Sequence, residues 1–262
     1  MTRLPVVPKR ELGQHFLVDE NILAVIGRLA ELAPGDVVLE VGPGLGVLTG
    51  FLADRVRHVH AVELDRSLEP HLCRRLSGRA NVALVFGDAL TIPLRELDPA
   101  PVKLVSNLPY QIATPLLAES LDGLPSVGLW CVMVQREVAE RLFAPQGTRS
   151  YGAVSVLVRL TAERTGFHPV ARTCFRPPPN VDSALVAFRR LRSWDGSLGP
   201  LRKLVQAAFA HRRKTLTNSL ELAGFADRDR AVQALARIGR PPGIRAEALA
   251  PEEFMLLLEA LA

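Results

Sequence analysis

The sequence predicts a doubly wound α/β domain over residues 1–193 and a small all-helical domain over 194–262. Three observations carry this. Short, nearly continuous apolar runs alternate with amphipathic stretches through the first half of the chain, the pattern of a parallel sheet covered on both faces. Three of these runs end in glycine or a carboxylate residue, as a ligand crevice at the carboxyl edge of an open sheet requires. Beyond Gly199 the apolar spacing is helical only.

Taken in order, Asp19 reads as the N-cap of a helix through Leu32, with Ile22, Leu23, Ile26 and Leu29 on one face, closed by Pro34-Gly35. The following strands are expected at Val37–Val41, His58–Val62, Val82–Phe86, Val102–Val105 and Val127–Val134. Helices are expected between them at Leu45–Asp54, Arg66–Leu76 and Thr114–Leu121, and after them at Arg136–Phe143. Val154–Leu160 is a further apolar segment, and Ala184–Leu191 reads as an antiparallel closing strand. Ser193–Gly199 reads as a linker, and four helices follow: Leu201–Ala210, Thr215–Leu222, Arg228–Ile238 and Pro251–Leu261.

Composition narrows the classes of function. A chain of 262 residues with 48% hydrophobic content and a mean hydropathy of +0.17 can bury a large core and is not a disordered protein. The net charge of +5 and pI of about 9.5 suit a polyanionic partner without requiring one. Cys73, Cys131 and Cys174 are scattered and lack metal-ligand spacing, so a reducing compartment and no metal site are expected. Met1–Gln14 has no apolar signal-peptide core and no stretch approaches ~18 apolar residues, so the expectation is a cytoplasmic protein that does not span a membrane.

The first strand runs into Glu40-Val41-Gly42-Pro43-Gly44-Leu45-Gly46. Glycines there let the backbone turn sharply beside a ligand. Val47 stands where the dinucleotide fingerprint needs its third glycine. The E-x-G-x-G-x-G pattern instead resembles motif I of S-adenosylmethionine-dependent methyltransferases. Glu63 ends the second strand, where an acidic residue grips ribose hydroxyls, and Asp88 follows the third, placed to accept from an adenine amine. After the fourth strand comes Asn107-Leu108-Pro109-Tyr110. An amide oxygen and a backbone carbonyl can accept both hydrogens of an exocyclic amine, while Tyr110 offers a ring to a base. This quartet resembles the motif of methyltransferases acting on adenine N6.

Upstream, Leu12-Gly13-Gln14-His15-Phe16-Leu17 resembles the signature of the KsgA-type ribosomal RNA adenine dimethyltransferases. The similarity continues through Thr114-Pro115, Gln135–Ala139, Tyr151-Gly152, Phe175–Ser183, Ala208–Leu216, Asn218–Leu220 and Arg245–Glu247. It implies a Rossmann-like class I methyltransferase fold with a C-terminal helical domain that binds ribosomal RNA. The implied activity is dimethylation of two adjacent adenines near the 3′ end of 16S rRNA, in a 30S subunit or its precursor, by a monomer. Carried onto this chain, the cofactor-binding residues are His15, Leu17, Gly42, Gly44, Glu63, Asp88 and Asn107. Asn107, Leu108, Pro109 and Tyr110 hold the target base, with Phe175 stacking on its other face or, alternatively, pinning the proline-rich loop. His211–Lys214 reads as a phosphate-contacting run or a solvated helix face, and Lys9 and Arg10 as further candidates for phosphate contact. His58, His60 and His168 read as structural or surface residues. His15, Gln111 and Ala113 depart from the residues common in the family.

Two competing readings remain at this level. An Erm-type enzyme acting on 23S rRNA shares the chemistry, but its C-terminal domain diverges from the Arg-Arg-Lys-Thr-Leu segment, and it usually carries isoleucine in place of Leu108. A non-catalytic ribosome-assembly factor shares the fold, but would not need Glu63, Asp88 and Asn107 intact.

Overall fold

The computed structural model describes residues 4–191 and 198–262. Its strands are β1 (Phe16–Leu17), β2 (Val37–Val41), β3 (His58–Glu63), β4 (Val82–Phe86), β5 (Lys103–Asn107), β6 (Leu129–Gln135), β7 (Ala162–Val170), β8 (Phe175–Arg176) and β9 (Ser183–Arg190). Its helices are α1 (Glu20–Leu29), α2 (Val47–Ala53), α3 (Glu69–Arg75), α4 (Ala113–Gly123), α5 (Arg136–Leu142), α6 (Ala153–Thr161), α7 (Gly199–Ala210), α8 (Leu216–Leu222), α9 (Arg228–Arg237) and α10 (Pro251–Leu261).

The chain divides into two compact units, residues 1–139 with 163–190 and residues 140–162 with 191–262. The second is therefore discontinuous. A single boundary near 193 assigns 140–162 to the wrong unit, because α6 packs with α7 and α10. The expected linker at 193–197 lies outside the described residues, and Gly199 already begins α7.

In the first unit a seven-stranded sheet runs β4-β3-β2-β5-β6-β9-β7. Strands β2 to β6 pair in parallel and β9 closes antiparallel on β6. Val38, Leu39, Leu104, Val105, Val132 and Val134 are buried completely, as expected of strands covered on both faces. Strand β2 is followed by β3 on one side and, after β4, by β5 on the other, so the topology reverses between β2 and β5. That is where open α/β sheets place their ligands. The two strands pair only at Val38–Lys103 and Leu39–Leu104. Beyond that the buried Ser106 hydroxyl takes over, donating to Val41 O at 2.5 Å and accepting from Val41 N at 3.3 Å. A crevice opens without orphaning the Val41 backbone.

Local departures from the sequence reading have local causes. Helix α1 ends at Leu29, three residues earlier than expected, because Glu31 turns the chain at φ 49°. Helix α2 starts at Val47 rather than Leu45 because Gly44 and Gly46 sit at φ 55° and 72°, outside the helical region. Val154–Leu160 lies within a helix, and β7 emerges as an edge strand.

In the second unit, buried Tyr151 donates its hydroxyl to Leu249 O at 2.9 Å and meets Phe209 edge-on, with Phe254 beside Phe209. Arg212, expected to contact phosphate, donates to Arg149 O and Tyr151 O at 2.8 and 2.9 Å, with Glu247 3.5 Å away. It holds a loop. The run His211–Lys214 is exposed and forms the turn between α7 and α8, not a helix face.

The first unit has a comparable staple at the carboxyl end of α4. Half-buried Arg190 donates to Leu121 O, Leu124 O and Val127 O at 2.8–3.1 Å and lies 4.9 Å over the Trp130 ring. Arg190→Ala is expected to lower stability by about 1–3 kcal/mol, seen as a lower urea midpoint with unchanged slope. Arg190→Lys should recover less than half, since one ammonium lacks the planar fork that reaches three carbonyls.

Candidate active site

The reversal between β2 and β5 opens into one cleft at the carboxyl edge of the sheet. Five segments of the first unit line it: Leu12–Leu17, Glu40–Leu45 with Val47 and Leu48, Val62–Leu64, Gly87–Ala89 and Asn107–Ile112. His15, Leu17, Gly42, Gly44, Glu63, Asp88, Asn107, Leu108, Pro109 and Tyr110 are thus brought together, although they lie up to 95 positions apart in sequence (15 to 110).

The glycine loop is shaped by close approach. Gly42 has φ 77°, and a Cβ there would lie 3.0 Å from Pro109 Cγ; Gly44 has φ 55°, and a Cβ there would lie 2.9 Å from the Phe16 ring. Any side chain at either position would collide with a neighbouring wall of the cleft and demand a strained backbone.

Glu63 is 6% exposed, and its two oxygens accept from Gly44 N at 3.0 Å and Asp65 N at 2.9 Å. Burial raises its pKa, and these two amides oppose the rise. Asp88 accepts from Leu90 N at 2.9 Å, which sets its carboxylate at the end of β4.

Asn107 ends β5. Its amide nitrogen donates to His15 O at 3.2 Å, so its oxygen is the end offered to a donor in the cleft. The Tyr110 ring stacks on His15, centroids 5.8 Å apart and planes 28° apart, and its hydroxyl pairs with Ser183 Oγ at 2.5 Å. His15 Nδ1 donates in turn to Pro177 O at 2.8 Å. Burial raises the Tyr110 pKa, so its hydroxyl stays protonated.

Phe175 is placed elsewhere. Strand β8 pairs with β1 so that Phe175 lies opposite Leu17, and its ring is 1% exposed among Ile22, Leu185 and Met133. It does not line the cleft, and its position is that of a pin for the proline-rich loop. Lys9, considered for phosphate contact, is held by Asp65 at 2.6 Å; the Arg10 side chain lies outside what is described.

One cleft residue was not singled out from the sequence. Glu40 is 1% exposed in β2, and its Oε2 has no hydrogen-bond partner among the described residues. Burial chiefly, with the Glu63 charge adding, pushes its pKa up to about 8. The Thr49 hydroxyl opposes this rise. The acidic start of the E-x-G pattern was the available signal. No group of three or more His, Cys, Asp or Glu with the arrangement of a metal site occurs among the described residues.

The family model described as ribosomal RNA adenine dimethylase matches residues 8–261. The chain belongs to the ribosomal RNA adenine dimethylase family. It is accordingly a ribosomal RNA adenine methyltransferase, with the class I methyltransferase fold. Among curated members, the ribosomal RNA small subunit methyltransferase A of Rubrobacter xylanophilus is 44% identical, covering 95% of this chain and 94% of that one. The Streptomyces coelicolor protein of the same name is 43% identical, covering 98% and 92%. A dimethyladenosine transferase from Plasmodium falciparum shares the fold at a TM-score of 0.75 and 24% identity, covering 93% of this chain and 96% of that one. The 23S rRNA methyltransferase ErmE aligns at a TM-score of 0.65 and 31% identity, covering 94% and 99%.

Glu40 gives the dimethylase cleft a testable pH dependence. Its folded pKa of about 8 exceeds the ordinary 4.5, so between these values the folded protein holds a proton that the unfolded chain releases. Stability should fall as pH rises from 5 to 8, by on the order of a few kcal/mol. Urea titrations of Glu40→Gln across that range should lose this decline; an identical pH profile would contradict a neutral Glu40.

Proposed function

We propose that the protein transfers methyl groups from S-adenosylmethionine to N6 of two adjacent adenines near the 3′ end of 16S rRNA, two per base. The substrate is a 30S subunit or its precursor, met in the cytoplasm by a monomer. One observation carries the reading most: the Asn107 amide is oriented by His15 O, with its oxygen offered to the cleft beside the Leu108-Pro109 backbone.

The residues present fit the cofactor. Gly42 and Gly44 let the loop lie against Pro109 and Phe16 and so shape the cleft, Glu63 stands where ribose hydroxyls donate, and Asp88 where an adenine amine donates. A cationic group bound beside the unpartnered Oε2 of Glu40 would offset the effect of burial and favour its ionised form. When bound, S-adenosylmethionine supplies a methyl group activated by a positively charged sulfur.

The chain's own residues act on the base. The N6 lone pair of adenine is delocalised into the ring and is a poor nucleophile. Asn107 Oδ1 and a backbone carbonyl of Leu108 or Pro109, accepting the amine hydrogens, favour a pyramidal nitrogen with its lone pair aimed at the methyl carbon. This is orientation and preorganised electrostatics, and no side chain need act as a general base. The amine loses one proton for each methyl gained. Unstacking the adenine costs a few kcal/mol. Stacking on Tyr110 returns ~1–3 kcal/mol of it, and Ser183 fixes the ring for the purpose. On the second unit, exposed Arg213 and Lys214 are the members of the basic run suited to phosphate, since Arg212 is engaged with carbonyls.

The small-subunit name shared by the curated relatives at 40–44% identity favours 16S over 23S rRNA. The test is transfer of labelled methyl groups to 30S subunits lacking the modification and, in parallel, to naked 23S rRNA, with mass spectrometry of the RNA. Two adjacent dimethyladenosines are expected; label on 23S rRNA alone would overturn the substrate assignment. Asn107→Ala should lower kcat by about 100-fold or more, the scale of losing one preorganised polar contact in the transition state, with the cofactor Kd nearly unchanged. A fully active variant would remove Asn107 from the mechanism.

A further inference from the structure

The segment Leu12–Leu17 lines the cleft and ends in β1, and its far end is secured by β1 pairing with β8 and by buried Phe16 and Leu17. Its near end is secured differently. Val6 packs against Leu68, Leu72 and Leu76, and Lys9 then reaches Asp65.

Asp65 is 4% exposed and lies two residues after Glu63. Its Oδ1 accepts from Lys9 Nζ at 2.6 Å, Ser67 N at 3.0 Å and Ser67 Oγ at 2.6 Å; its Oδ2 accepts from Gln14 Nε2 at 2.8 Å. Gln14 Oε1 accepts from Lys9 N at 2.8 Å, which closes a ring through Lys9, Gln14 and Asp65. Asp65 N donates to Glu63 Oε1 at 2.9 Å, so one residue joins this ring to the carboxylate that meets the ribose. Burial alone raises the pKa of such a group, yet the donors on Lys9, Ser67 and Gln14 hold it at about 2. The latch is therefore charged at neutral pH.

We propose that Asp65 is a positioning residue for cofactor binding, latching Lys9 and Gln14 so that the segment Gln14–Leu17 is held over the cleft against the cofactor. The inference rests on the cofactor reading above. Gln14 has a second task in it: its side chain is turned to Asp65 while its neighbour His15 offers the carbonyl that orients Asn107. The latch thus acts through the segment on the cofactor, without touching it.

The experiment compares wild type, Asp65→Asn, Lys9→Met and the conservative Lys9→Arg. Calorimetry with S-adenosylmethionine, amide deuterium exchange over Lys9–Leu17 and steady-state kinetics on 30S subunits are read together. Lys9→Met removes a partner that is 39% exposed, so it folds even if Asp65→Asn does not. Asp65→Asn and Lys9→Met should each weaken cofactor binding by roughly tenfold, the scale of one lost charge-assisted hydrogen bond. Exchange in the segment should rise, the KM for cofactor should increase with kcat held at saturation, and Lys9→Arg should restore the affinity. Raised exchange with unchanged affinity would overturn the positioning role, and unchanged exchange would overturn the latch. Failure of the wild type to bind S-adenosylmethionine would overturn the cofactor reading instead, while the exchange data would still decide whether the latch exists.

Discussion

The buried carboxylate of Glu63 is the group on which the rest of this site depends. A carboxylate taken out of water must be met by donors, and here both are backbone amides, Gly44 N on one oxygen and Asp65 N on the other. Meeting Gly44 fixes the glycine loop against the end of β3. Meeting Asp65 turns the chain so that its own carboxylate faces the segment before β1, where Lys9 and Gln14 close over it. Loop, strand end and crossing segment are thereby referred to one charge, and the side that ribose hydroxyls would approach is preorganised before any ligand arrives.

The opposite wall is built by steric fit. Gly42 admits Pro109 and Gly44 admits Phe16, so the glycine loop lies flush against the turn that carries Asn107 and against the segment that carries His15. His15 then serves three contacts at once: its carbonyl orients Asn107, its ring stacks on Tyr110, and its Nδ1 holds Pro177. The family signature that this segment resembles has asparagine here. The backbone contact to Asn107 is indifferent to that change, whereas the ring contact to Tyr110 is specific to histidine.

Much of this was legible in the chain itself, for identifiable reasons. Strands β2, β3, β5 and β6 are largely buried on both faces, which leaves mostly apolar runs, and the ends of these strands and of β4 carry glycine, Glu63, Asp88 and Asn107 where a ligand is to approach. The edge strand β7 was not legible, because Ala-Glu-Arg-Thr-Gly-Phe-His-Pro-Val is largely polar and contains a proline that only an edge tolerates. Strands β1 and β8 are two residues each and carry no period at all. Charged side chains were the least legible. Lys9 and Arg212 look like ligands for phosphate in sequence, yet one closes on Asp65 and the other on two carbonyls, partners distant by 56 and more than 60 positions. Phe175 before its prolines reads equally as a stacking ring or a pin, and only the β1–β8 pairing turns it into the core.

The proposed reaction requires one cleft to present the cofactor and the adenine amine to each other across Asn107. A crystal structure with S-adenosylhomocysteine and N6-methyladenosine bound together tests it most directly. Ribose hydroxyls are expected on Glu63, the purine amine of the cofactor product on Asp88, and the methylated amine on Asn107 Oδ1 with its ring against Tyr110. An adenine base seated away from Asn107, or a cofactor product that bypasses Glu63 and Asp88, would contradict it.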